Sequence, residues 1–184
     1  MADVEQSENP EIAGSYTMAA AQLARAEGRG EEAFAMVQRI FEAQERSDWV
    51  PSWLRFDAFE AVILVSEPER IRALLAVLAD ASHLRTSVLA QRARFRARLP
   101  EHDAETEFET AERLFRELEA PFYLAATQLE HAEYLLVQDR AEEAAPLLVD
   151  ARETFERLRA KPWLDRLDAA ATVQAAEEPA TAAG

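Results

Sequence analysis

Five arginines crowd one stretch of an otherwise acidic chain: Arg85, Arg92, Arg94, Arg96 and Arg98, with no acid between residues 84 and 98. A guanidinium presents a planar fork of donors that grips a carboxylate or phosphate through paired hydrogen bonds. On a helix, Arg85, Arg92 and Arg96 share one face and Arg94 and Arg98 another. Leu84, Val88, Phe95 and Leu99 form the apolar seam between them. The stretch that follows carries Glu101, Asp103, Glu105, Glu107, Glu109, Glu112, Glu117 and Glu119. An antiparallel hairpin would lay those acids beside the arginines, so mutual neutralisation is the expected arrangement. The competing arrangement turns Arg94 and Arg98 into a groove, where they would hold a carboxylate or phosphate.

Other reactive side chains are scattered. His83, His102 and His131 form no His-x-x-x-His pair, so no metal site is expected. His131 reads as a hydrogen-bonded structural histidine. His102, beside Asp103, belongs to a helix start, where acids suit the positive end of the helix dipole. The carboxylates are too many for spacing to select a catalytic pair. Gly28 and Gly30 stand in a helix–helix turn without a following Lys-Ser or Lys-Thr, which excludes a phosphate-cradling loop. There is no cysteine, hence no disulfide, thiol nucleophile or cysteine-bound zinc. No catalytic residue and no cofactor are expected.

The elements that must position these groups are helices. Of 184 residues only four are glycine, and the composition favours the helix formers Ala, Leu, Glu and Arg. Stretches of alternating β-branched and polar residues are lacking. Punctuation by proline and glycine predicts nine helices, over about 11–27, 31–46, 51–65, 66–81, 84–98, 102–118, 121–138, 141–159 and 162–171. Residues 1–10 and 172–184 read as disordered tails, leaving a helical domain over 11–171.

Two phrases recur. Leu114-Phe115-Arg116-Glu117-Leu118-Glu119-Ala120-Pro121-Phe122 returns, altered, as Thr154-Phe155-Glu156-Arg157-Leu158-Arg159-Ala160-Lys161-Pro162-Trp163. The turn at Gly28-Arg29-Gly30-Glu31-Glu32-Ala33 matches Asp139-Arg140-Ala141-Glu142-Glu143-Ala144, 111 residues later and so three units of 37. Such periods mark stacked helical hairpins, slightly longer than the tetratricopeptide unit of about 34 residues. Small residues (Ala21 and Ala33 around Val37; Ala132, Ala144 and Ala151 around Leu148) are expected where paired helices approach closely. Phe122 and Trp163, each behind a proline, are expected to wedge between consecutive hairpins. The expected fold is all-α: a right-handed, tetratricopeptide-like α-solenoid of about four hairpins with a C-terminal capping helix.

From Ala111 to Ala171 the chain resembles a known group. The residues are Ala120-Pro121-Phe122-Tyr123-Leu124-Ala125, Leu129-Glu130-His131-Ala132-Glu133, Arg140-Ala141-Glu142-Glu143-Ala144-Ala145-Pro146-Leu147-Leu148, Phe155-Glu156-Arg157-Leu158 and Pro162-Trp163-Leu164. They look like the tetratricopeptide-like C-terminal region of actinobacterial ATPase-containing adenylate or guanylate cyclases and of LuxR-type transcriptional regulators. The resemblance implies a bacterial regulatory or sensing arm and carries no catalytic residue.

A formal charge of −15 opposes binding to nucleic acid or to anionic membranes. No apolar run approaches the roughly 20 residues that span a bilayer, and the acidic start of the chain does not read as a signal peptide, which makes the cytoplasm the expected location. The expected function is a non-catalytic module that binds a peptide or protein segment along a groove made by the first, third, fifth and seventh helices. Hairpin register nominates Met18, Gln22, Arg25, Arg94, Arg98, Leu129, Glu133 and Leu136 for that groove. The alternative is a small-effector sensor arm relaying to an upstream ATPase or cyclase. A homodimer through Trp49 and Trp53 is a further expectation.

Overall fold

A computed structural model describes residues 16–21, 23–24, 27, 29–45, 68–77 and 86–177. Among these residues every regular element is helical. The chain divides into two compact units, Met1–His83 and Leu84–Gly184.

In the first unit residues 16–21 and 23–24 are helical, followed by α1 (Gly30–Glu45) and α2 (Pro68–Val77). Met18, Ala21, Ala24, Ala33, Val37 and Ile71 are buried. The predicted helix over 51–65 and the Trp49/Trp53 surface lie outside the described residues.

The second unit holds α3 (Thr86–Arg96), α4 (Ala104–Glu117), α5 (Pro121–Val137), α6 (Ala141–Leu158) and α7 (Lys161–Glu177). Each packs on the next in sequence, and α5 also meets α7. Their limits follow local chemistry. Asp103 caps α4, its Oδ1 accepting Thr106 N–H at 2.9 Å, which satisfies a donor the first turn would leave open. Pro121 opens α5 at a position where a missing N–H costs nothing. α3 stops at Arg96, and turns through 97–102 deliver the chain to Asp103. The helices α4, α5 and α6 each finish on a left-handed residue: Glu119, Asp139 and Arg159, with φ of 51°, 57° and 54°. None is glycine, the residue that takes this conformation without strain.

Two core clusters lie among the described residues of this unit. One gathers Ala125, Leu129, Ala132, Ala144, Leu148, Ala151, Phe155 and Leu167; the other gathers Ala90, Ala93, Ala111 and Phe115. The alanines expected at close helix approaches, Ala132, Ala144 and Ala151, are all fully buried. α7 differs from expectation: the sequence predicts a tail from residue 172, whereas the helix runs on to Glu177. The alanines at 169–171 are strong helix formers, and Thr172 Oγ1 donates back to Asp168 O at 2.7 Å.

The 40-residue spacing of the recurring phrase carries through to the aromatics that follow it. Phe115 stacks on Tyr123 with ring centroids 5.5 Å apart, and Phe155 stacks on Trp163 at the same distance. Glu119 and Arg159 are both left-handed. These pairs lie 40 residues apart without a gap, so Trp163 corresponds to Tyr123, and the prolines fall one residue out of step. Phe122 and Trp163 nevertheless meet edge to face at 5.5 Å, both against Phe155.

Candidate functional site

The arginines of α3 do not stop at the neighbouring acidic helix. Arg94 reaches α5, where its Nε donates to Glu130 Oε2 at 3.0 Å and its Nη2 to Glu130 Oε1 at 2.7 Å. Both side chains are sealed from solvent, at 1% and 2% exposure. Arg98, just past the end of α3, places Nη2 3.3 Å from the same Oε1, and Arg166 of α7 places Nη1 3.8 Å from it. Arg166 Nη1 is buried and makes no hydrogen bond, while Arg166 Nε donates to Glu133 Oε1 at 2.7 Å and Nη2 to Oε2. Three guanidiniums from separate parts of the unit thus converge on one carboxylate.

Electrostatics follow from that convergence. Burial opposes ionisation of Glu130, but Arg94, Arg98 and Arg166 outweigh it and hold the carboxyl at about 2. Burial pulls Arg98 below its usual value, with Glu130 acting against it and Arg94 adding repulsion. Desolvation works against Arg166 as well, yet Glu133 and Glu130 leave its pKa raised.

Beside this lattice lies a cleft of about 580 Å³. One wall is the 97–105 connection with Arg98, His102, Asp103 and Glu105; the other is α5 with Glu130, Glu133 and Tyr134, and Leu99, Pro100 and Phe108 supply apolar surface. Its polar side chains are held in place. Arg140 grips Glu105 through Nη1–Oε1 (2.6 Å) and Nη2–Oε2 (2.9 Å) while also binding Glu143. The hydrogen bonds from Arg140 lower the pKa of Glu105, and the backbone N–H of Thr106 lowers that of Asp103. Phe108 stacks on His131 with centroids 5.0 Å apart and tilts against Tyr134 at 6.1 Å. His131 Nδ1 in turn lies 2.8 Å from Glu112 Oε1, the hydrogen-bonded setting expected for this histidine.

Of the residues nominated for a groove, the structure brings Arg98 and Glu133 together in the cleft. Arg94 is a correction: it is fully buried behind the cleft, because Glu130 offers a bidentate partner inside the unit. Leu129 and Met18 are likewise buried rather than facing a groove, and Leu136 packs against the larger core cluster. Gln22 and Arg25 lie outside what is described. Neutralisation of the arginine-rich helix by 101–119 is seen between Arg96 and Glu107 at 3.8 Å, while Arg94 has its bidentate partner on α5. Sequence reasoning did not single out Glu130, Arg166, Phe108 or Tyr134. A signal existed: Glu130 and Glu133 are the only acids in the apolar segment 121–137, and residues three apart share a helix face. Two acids on one face of so apolar a helix demand cations.

Among the described residues no three His, Asp or Glu side chains gather as a metal ion would require, and no helix is long and apolar enough to cross a membrane. Comparison of the chain with family models, with curated proteins and with solved structures gives no match.

Proposed function

We propose that the chain is a non-catalytic binding module whose Leu84–Gly184 unit receives a segment of a partner protein in the cleft between the 97–105 connection and α5. The observation that carries this is the cleft's construction: Glu105, Glu133 and Arg98 are held by ion pairs with neighbours and Asp103 by the backbone N–H of Thr106, rather than left to reorganise. Walls that are already ordered lose less entropy when a ligand binds. We read the succession of helices as stacked, tetratricopeptide-like hairpins of a right-handed solenoid. The gapless 40-residue recurrence of the left-handed cap and the stacked aromatic pair supports that reading. The resemblance of residues 111–171 extends it to an arm of a cytoplasmic bacterial signalling or transcription regulator.

Selection of a random decapeptide display library on the whole protein tests the proposal. Ala104→Trp fills the cleft from the first residue of α4, and circular dichroism checks that it folds. Selected peptides are expected to bind the Trp variant at least about tenfold more weakly, a difference of about 1.4 kcal/mol. Peptides that bind both proteins equally would remove the cleft from the function. A second reading has the cleft's size in its favour: it falls within the roughly 300–1,000 Å³ usual for small ligands. A metabolite that raises the melting temperature of the native chain but not of Ala104→Trp would favour an effector sensor.

A further inference from the structure

We propose that the cleft selects a basic segment, with an arginine or lysine side chain of the partner entering beside Tyr134 and against Asp103, Glu105 and Glu133. This rests on the segment-binding reading above and adds the chemistry of the ligand. Four of the cleft's side chains are carboxylates and one is a guanidinium. That guanidinium, Arg98, already lies 3.3 Å from Glu130. Asp103, Glu105 and Glu133 line the same cleft, so an anion drawn to Arg98 would lie among three carboxylates.

Each acid keeps capacity for a further donor. A carboxylate accepts about four hydrogen bonds, and Arg166 takes two of those on Glu133 as Arg140 does on Glu105. Hydrogen bonds from Arg140 and Thr106 also favour the ionised forms of Glu105 and Asp103. The aromatic side of the cleft suits the same ligand. Phe108 contacts the rings of both His131 and Tyr134, and Tyr134 lines the cleft. Its half-buried ring and hydroxyl therefore offer a cation a π surface and an acceptor together. At longer range, the chain's net charge of −15 draws basic partners and repels acidic ones.

The display selection described above distinguishes the two levels of the argument. Enriched peptides should carry Arg or Lys, and a synthetic copy of one should lose affinity as salt rises. Tyr134→Leu, Glu133→Gln and Asp103→Ser should each weaken that peptide by about three- to tenfold. Asp103→Ser removes the charge but preserves the helix cap, so it remains informative if Glu133→Gln disturbs folding. Neutral or acidic peptides that Ala104→Trp still blocks would overturn the basic-ligand inference and leave segment binding standing. Peptides indifferent to Ala104→Trp, or no enrichment at all, would overturn both.

Discussion

Glu130 stands where a buried carboxylate costs most and is repaid best. Its two oxygens receive the fork of Arg94, with Arg98 and Arg166 close behind. Such a centre is costly to break but not the only way to fill the space. Glu130→Gln leaves Arg94 uncompensated in the interior and should destabilise the fold by about 3–5 kcal/mol in urea titrations. The paired change Arg94→Met with Glu130→Leu should cost much less, because no lone charge remains buried. A double variant as unstable as Glu130→Gln would show that the pair itself, rather than charge balance, supports the fold. The sign of the pH dependence follows from a depressed carboxyl. Its contribution of about 3 kcal/mol is complete above the unfolded value near 4.5 and is lost as pH falls from there towards about 2. Glu130→Gln should flatten the acid limb of a stability–pH profile in that interval.

Helix ends in this chain are set by different means at the two termini. Starts use side chains that sequence displays openly, such as Asp103 and Pro121. Ends use left-handed Glu119, Asp139 and Arg159, which sequence hides, since a non-glycine residue does not announce a positive φ. Starts and limits were therefore legible to within a few residues, whereas the capping conformation was not. The same concealment bears on the recurring phrase. Proline draws the eye, but the conserved geometry between the two copies is the left-handed residue and the aromatic eight positions beyond the buried Phe. Arg159 is exposed and sits at φ 54°, ψ 37°. Arg159→Gly should relieve its strain and stabilise the protein by about 0.5–1 kcal/mol despite the greater freedom of glycine in the unfolded chain. A loss of stability in thermal unfolding would mean that the Arg159 side chain contributes more than its backbone costs.

At the scale of the whole molecule, the chain divides at His83 and Leu84 into two compact units. All-helical character was legible because composition and proline spacing act locally. The site was not, because it depends on which helix lies across from α3, a long-range fact that Arg94 reveals only through its bond to Glu130 36 residues away. The described ion-pair partners of Glu130, the two core clusters above and the cleft belong to residues 84–184. The second unit expressed alone should therefore be helical and unfold cooperatively in urea, with stability on the order of 5 kcal/mol. Because Glu130's ion-pair partners are all inside the unit, Glu130→Gln should cost the fragment what it costs the full chain, to within about 0.5 kcal/mol. A fragment that melts gradually, or whose Glu130 variant is nearly neutral, would show that residues 1–83 take part in ordering the lattice. Agreement between the two penalties would place the whole of the proposed binding site on a unit that folds by itself.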